Sequence, residues 1–373
     1  MNARETFPRV VILYGGLSAE AEISVVSGSA IASALMKEGL SVDQLLITRE
    51  SLAALLPEGH LRGERLPSEY TTERRAASLT DAPLRPLAEL LAEMLREQPD
   101  AVYIPALHGP GDESGVVQEA LAAAGVAYVG AAPAAARLGM EKDAFKRLAS
   151  TLNVPTLPHS IVTAEEWTNN REATLSRIAE FAARESEGGA LIGKPAAHGS
   201  SIGMRIARSR EEWGAAVDLA LQFGARALLE PYLDHPRELE IALLESPDGS
   251  VRAFGPGEVF PGREFYDYDA KYANGVSRTT VSPEISDTLR DELQSSAITL
   301  FRGFGGRGLA RMDFLMRASG AHTGEWYISE VNTFPGFTPI SLFPALITAS
   351  GMSFADLSLH LVHTALAQRQ AGR

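Results

Sequence analysis

Two β-rich runs, residues 309–316 and 325–331, are separated only by a short turn through Ser319, Gly320 and Gly324. Runs that close together pair as an antiparallel hairpin. Side chains alternate faces along a strand, so Arg311 and Asp313 share one face of the first run. Glu330 and Asn332 share a face at the end of the second. Pairing gathers Asp313, Glu330 and Asn332 into an oxygen-rich cluster with Arg311 beside it. Hard cations such as Mg²⁺ take oxygen ligands and bind through a few carboxylates plus substrate phosphates. Taken alone, such a pair is more often a solvated polar face. The next segment, Thr333-Phe334-Pro335-Gly336-Phe337-Thr338, tips the balance, because its Pro-Gly turn brings backbone N–H groups to the same place.

A chain of 373 residues is long for one core, so two or three domains are expected. The first part alternates strands (residues 9–14, 42–47 and 101–106) with helices (24–37, 84–96 and 114–124). This is the βαβ pattern of an α/β domain built on an open parallel sheet, whose ligands sit beyond the carboxyl ends of the strands. Two loops leave such ends, residues 15–20 and 107–111. Residues 50–83, rich in Arg, Glu, Ser and Pro, read as a variable surface segment. A second unit holds a helix over 142–152, strands over 190–194, 204–207 and 227–230, and a helix after Ser209. The third carries strands over 238–244 and 251–259, a loop over 261–275, a helix over 286–302, the hairpin, and helices after Ser341 and Ser353. The expected domains are 1–130, 131–229 and 230–373.

Without cysteine the chain has no disulfide, thiolate metal site or cysteine nucleophile, which fits the cytoplasm. A net charge of −13 argues against a nucleic-acid partner. It leaves room for a small anion, because a few placed cations outweigh distant charge at short range. No apolar run reaches membrane-spanning length, and no signal-peptide pattern is read at the start.

Two glycine motifs mislead. Gly188 to Lys194 spells G-x-x-x-x-G-K, but Pro195 stands where a P-loop needs Ser or Thr and a helical N–H. Gly303 to Gly308 spells G-x-G-x-x-G, yet it follows a helix and precedes a strand, the reverse of the dinucleotide-binding context. His108 has no partner at metal-ligand spacing. Other segments fit together. Lys194 ends a strand and enters a small-residue loop, Gly199-Ser200-Ser201-Ile202-Gly203, suited to close approach by phosphate oxygens or to an ordinary turn. Lys142 opens a helix. Glu230 and Glu238 flank a strand break, where either could take a ribose hydroxyl. Phe265-Tyr266-Asp267-Tyr268-Asp269-Ala270-Lys271-Tyr272 is too polar for a core strand and reads as an ordered functional loop.

In this order the segments resemble the D-alanine–D-alanine ligase family of the ATP-grasp superfamily. The likeness runs through residues 15–24, His108-Gly109 with Glu113-Ser114-Gly115 and Gln118, and Tyr128-Val129-Gly130. It continues through Met140-Glu141-Lys142-Asp143, Lys194-Pro195 with residues 199–203, the loop 265–272, Arg311-Met312-Asp313, and residues 330–338. It covers essentially the whole chain except 50–100. The resemblance implies a three-domain ATP-grasp architecture, with ATP between the second and third domains and the amino acids where all three meet.

It also implies roles. Lys142, Lys194 and Ser201 meet ATP phosphates, Glu230 the adenine and Glu238 the ribose. Lys271 meets the γ-phosphate. Asp313, Glu330 and Asn332 bind two Mg²⁺ ions, with Mn²⁺ an alternative. Glu20 pairs with the ammonium of the first D-alanine and forms a triad with Ser200 and Tyr272. His108 sits near the reacting carboxylate, and Arg311 and the Gly336 N–H face the oxyanion. Ser341 and the Leu342 N–H hold the second D-alanine. The partners implied are ATP and D-alanine, with a homodimer, no nucleic acid and no membrane. The chain departs from the family pattern at Asp112-Glu113-Ser114-Gly115. It is one residue longer than some members between Glu230 and Glu238. Gly193 stands where a β-branched residue is usual, which is expected to loosen that strand. The implied reaction is ATP-dependent ligation through D-alanyl phosphate, for peptidoglycan synthesis. The alternative is a D-alanine–D-lactate ligase, against which Tyr272 weighs. A regulatory protein without catalysis and a generic ATP-grasp carboxylase are the remaining readings.

Overall fold

The computed structural model describes residues 8–18, 20–48, 51–56, 84–109, 113–261, 277–338 and 340–372. Among these the chain forms three sheets. The first has strands β1 (Val10–Gly15), β2 (Val42–Ile47), β3 (Leu52–Leu56), β4 (Arg85–Pro86), β5 (Val102–Pro105) and β6 (Ala127–Tyr128), in the order β4-β3-β2-β1-β5-β6. Strands β2, β1, β5 and β6 are parallel, with Val10 opposite both Val42 and Val102. Their residues are almost wholly apolar, as strands covered on both faces require. Helices α1 (Ala21–Lys37), α2 (Leu87–Glu97) and α3 (Val116–Ala123) supply the cover.

The expected parallel sheet needs one correction. Residues 52–56, within the expected variable surface segment, form strand β3, which pairs antiparallel with β2 and then with β4. Only four residues lie between β2 and β3, too few for a crossover, so the chain reverses. The rest of that expected segment, 57–83, lies outside the described residues.

The second sheet is antiparallel. It orders β7 (Ser160–Thr163), β10 (Arg226–Pro231), β8 (Leu191–Pro195) and β9 (Arg205–Ala207) as β7-β10-β8-β9. Helices α4 (Pro133–Met140) and α5 (Lys142–Thr151) precede it. Helices α6 (Ala164–Asn169), α7 (Arg171–Glu185) and α8 (Arg210–Ala220) belong to it, and Trp167, Ile178, Val217 and Leu229 share its core. Gly193 of β8 faces α8 closely. A Cβ there would lie 2.8 Å from the Cβ of Ala216, so the small residue lets α8 press directly on the strand.

The third sheet orders β11 (Arg237–Glu245), β12 (Val251–Phe260), β13 (Arg278–Thr280), β14 (Leu309–Met316) and β15 (Trp326–Asn332) as β13-β12-β11-β14-β15, again antiparallel. Helix α9 (Asp287–Gly303) buries Leu293, Ala297, Leu300 and Phe301 against it. It opens on Ser286, whose hydroxyl accepts the Leu289 N–H as an N-cap. Helices α10 (Leu342–Thr348) and α11 (Phe354–Gln370) cross back to the first sheet. Val10, Ile12 and Tyr14 of β1 pack in one core with Phe337, Phe343, Leu357 and Leu361. That shared core sets the first sheet against the third.

Candidate active site

The expected hairpin forms. Asp313 lies opposite Glu330 and Arg311 opposite Asn332, with an irregularity just after Asp313. The Asn332 amide donates to Asp313 Oδ2 at 2.9 Å. Arg311 forks onto both Asp313 oxygens at 2.7 Å each and reaches Glu240 Oε2 at 3.2 Å. Glu240 comes from β11, directly opposite Asp313. The structure therefore gathers Asp313, Glu330, Asn332 and Arg311 at one place. Among the described residues no three His, Asp or Glu side chains form a metal-binding group. Two carboxylates and one amide oxygen, partly exposed, are a hard donor set that phosphate oxygens would complete.

Lys142 opens α5 and touches two parts of this site. Its Nζ donates to the His198 carbonyl at 2.6 Å and lies 3.1 Å from Glu330 Oε2. Its backbone N–H donates to the Ala196 carbonyl at 2.9 Å, anchoring the helix start to the end of β8. The loop between is sharply bent. Ser200, Ser201 and Gly203 have φ of 53°, 55° and 74°. Two serines in the left-handed region are uncommon and typical of a shaped ligand loop.

Lys194 ends β8, as expected, but its neighbour changes the picture of Glu230. The Lys194 ammonium donates to Glu230 Oε1, and the fully buried Lys146 ammonium lies 2.8 Å from Glu230 Oε2. Burial alone would raise the Glu230 pKa, but the two lysines outweigh it and hold the carboxyl at about 2. Glu230 is thus a counter-ion shared by two ammonium groups. Glu238, on β11, lines the same cavity.

Glu230→Gln is expected to destabilise the fold by about 3–5 kcal/mol at neutral pH, because it strands buried charge. The folded pKa lies below the ordinary 4.5, so this contribution is complete above pH 4.5 and is lost as pH falls toward 2. Denaturant melts should show the gap between wild type and variant narrowing on acidification. A gap constant down to pH 3 would mean that the ion triad is absent.

The first sheet contributes the loops after β1 and β5. Gly15 ends β1 with φ of 90°, and a Cβ there would sit 2.2 Å from the Ile47 carbonyl oxygen, so only glycine turns the chain here. Beyond it, Glu20 accepts a hydrogen bond from the Ser200 hydroxyl, 180 residues away in sequence. His108 is buried. Its Nε2 is 3.2 Å from Ser27 Oγ, and its Nδ1 faces Glu113 Oε1 at 3.3 Å and the Phe334 carbonyl at 3.2 Å. Burial raises the Glu113 pKa, and the hydrogen bond and charge of His108 offset only part of that. The Phe337 N–H donates to Ser27 Oγ at 3.2 Å, which ties the loop after β15 to α1. In that loop Ser341 immediately precedes α10, and its Oγ is 2.8 Å from Thr338 Oγ1.

Two cavities meet here. One of about 150 Å³ lies between the second and third sheets, lined by Lys194, Ser201, Glu230 and Glu238. One of about 600 Å³ is lined by Glu20, His108, Asn332, Gly336, Ser341 and Leu342. Lys142, Ser200, Arg311 and Glu330 line both. Lys271 and Tyr272, with most of the expected loop, lie outside the described residues. Lys146 and Glu240 went unnoticed in the sequence. The signal for Lys146 was its place four residues after Lys142, on the same face of α5.

Residues 9–131 match the family model described as "D-ala D-ala ligase N-terminus", and residues 148–363 the one described as "D-ala D-ala ligase C-terminus". The D-alanine–D-alanine ligase of Corynebacterium aurimucosum is 36% identical over 370 residues, spanning 96% of this chain and 98% of that one. The enzyme of the same name from Heliobacterium modesticaldum is 33% identical, spanning 96% and 94%. Among solved structures, the D-alanine-D-alanine ligase from Coxiella burnetii superposes with a TM-score of 0.78 at 24% identity, covering 98% of this chain and 96% of that one. This last likeness is one of fold.

Proposed function

The chain belongs to the D-alanine–D-alanine ligase family, and from that premise we propose that it joins two D-alanine molecules using ATP, through a D-alanyl phosphate. The observation that carries this reading is the junction of the two cavities. There the Glu20–Ser200 hydrogen bond and the Arg311, Asp313, Glu330 and Asn332 cluster stand beside one another.

ATP occupies the smaller cavity between the second and third sheets, with Lys142, Lys194 and Ser201 toward its phosphates and Glu238 toward its ribose. Glu230 lies at the adenine end and also balances Lys194. Asp313, Glu330 and Asn332 would hold Mg²⁺, which would supply neutralisation of phosphate charge. The carboxylate of the first D-alanine attacks the γ-phosphorus, and ADP leaves. Glu20 holds the ammonium of that molecule, and His108 flanks its carboxyl end. The neutral amine of the second D-alanine then attacks the acyl carbon, while Ser341 and the Leu342 N–H hold its carboxylate. Arg311 and the Gly336 N–H stabilise the resulting oxyanion, and inorganic phosphate departs. Lys271 and Tyr272, the remaining residues that the resemblance assigns to the reaction, lie outside the described residues. The working unit is a homodimer in the cytoplasm. Among the described residues no helix is long and apolar enough to cross a membrane.

The test is phosphate release and product mass with ATP and D-alanine, compared with L-alanine and with D-alanine plus D-lactate. D-Alanine-dependent phosphate release with a dipeptide product is expected. A depsipeptide as main product from the mixture would move the assignment to D-alanine–D-lactate ligation. Phosphate release indifferent to D-alanine would sink both.

A further inference from the structure

Lys146 is a fully buried ammonium group that no step above uses. Burying such a group is costly unless it is paired, and an apolar side chain of similar size would serve packing at lower cost. Its two contacts are informative. Nζ lies 2.8 Å from Glu230 Oε2, on the side of that carboxylate away from Lys194, which takes Oε1. It also donates to Thr156 Oγ1 at 3.3 Å. Thr156 bridges to Ile328 of β15, two residues before Glu330, and the Ile328 N–H donates to the Pro155 carbonyl at 2.8 Å. One ammonium group therefore touches the strand that carries Glu230 and the segment that braces the strand carrying Glu330.

The charge count gives the reason. Glu230 and Lys194 alone are a neutral pair at short range, and Lys194 would be held by the carboxylate. With Lys146 behind it, Glu230 is shared, and the trio keeps one net positive charge. Lys194 and Glu230 both line the proposed nucleotide cavity and Lys146 does not, so Lys194 is the ammonium group of the trio that faces the ligand. Burial pushes the Lys146 pKa down and Glu230 pulls it back part of the way, as expected for an ammonium group whose main support is that carboxylate.

We infer that Lys146 is a positioning residue of the nucleotide site: by holding Glu230 from behind, it leaves the Lys194 ammonium group available to phosphate. This rests on the ATP-dependent reading above.

The experiment is a double-mutant cycle on the full chain, read by calorimetric titration with MgADP and by KM for D-alanine. Lys146→Met should raise the Kd for MgADP about tenfold, within the range for coupled charged neighbours. The KM for D-alanine should stay unchanged. A loss of folded protein would instead lower the number of binding sites and leave Kd alone. Lys146→Met with Lys194→Met should bind no more weakly than Lys194→Met alone, because Lys146 acts through Lys194. An unchanged Kd in Lys146→Met, or effects that multiply in the double variant, would overturn the inference. If Lys146→Met does not fold, Lys146→Met with Glu230→Gln removes both charges together, and magnesium tripolyphosphate, which lacks adenine, replaces ADP. Affinity within about threefold of wild type supports the inference, and a loss of about tenfold overturns it. Wild type that binds neither ligand would sink the ATP-dependent reading and this inference with it. Wild type that binds MgADP while Lys146→Met binds it equally well would sink the inference alone.

Discussion

Glu330→Gln is expected to lower ligation by about 100-fold or more, the scale of losing one electrostatic contributor to a transition state. The carboxylate stands opposite Asp313 in the hairpin and keeps 29% of its side chain exposed, toward the junction of the cavities. Replacing it with an amide keeps the shape and removes one of two negative charges from the proposed metal site. The fold should survive, because Glu330 is not buried and Lys142 retains the His198 carbonyl as a partner. The decisive comparison is turnover at saturating Mg²⁺ alongside the melting temperature. Near wild-type turnover would remove Glu330 from the metal site. A large fall in melting temperature would make the residue structural.

Much of this site was legible because its residues sit where periodicity is strong. The hairpin has two clear β-runs and a short turn, so the gathering of Asp313, Glu330 and Asn332 could be read from the sequence, whereas the bulge after Asp313 that sets it opposite Glu330 could not. The βαβ alternation of the first sheet was equally plain, since fully buried parallel strands are nearly unbroken apolar runs. Several of the shortest elements were lost. Strands β3, β4 and β6 carry too few residues to show a period, and β4 and β6 are set by their neighbours in the sheet. Helices α6 and α7 passed unread because their many Glu, Arg and Ala residues resemble an exposed polar stretch.

The site was less legible where charge is buried. A lysine on a helix reads as solvated, and the four-residue spacing from Lys142 gives Lys146 a face without saying that the face is buried. Arg147 keeps 64% of its side chain exposed, whereas Lys146 is wholly enclosed. The difference comes from Glu230, 84 residues later, which only the fold brings near. Glu240 was missed for the same reason. It sits two residues after Glu238 on β11; both line the smaller cavity, and Glu240 also pairs with Arg311. The resemblance placed Glu230 at the adenine, but it could not show that both carboxylate oxygens already face lysines.

Arg311→Met should cost about 10²–10³ in turnover, the range seen when a fixed oxyanion donor is removed. It should also shift the Mg²⁺ requirement in a direction that separates it from Glu330→Gln. Arg311 neutralises Asp313 through two hydrogen bonds and Glu240 through a third contact. Without the guanidinium those carboxylates stand beside one another with their charge uncompensated, and a divalent cation becomes the better partner for both. The Mg²⁺ concentration giving half-maximal rate should therefore fall in Arg311→Met, whereas it should rise in Glu330→Gln, which loses a ligand. Arg311→Lys should lie between wild type and Met, because it keeps the charge but loses the planar fork that engages two oxygens at once. Phosphate release measured against Mg²⁺ at saturating ATP and D-alanine distinguishes the cases. If the Mg²⁺ requirement rises in Arg311→Met as it does in Glu330→Gln, then Arg311 serves to hold Asp313 in place for the metal, and the oxyanion must be met by other donors.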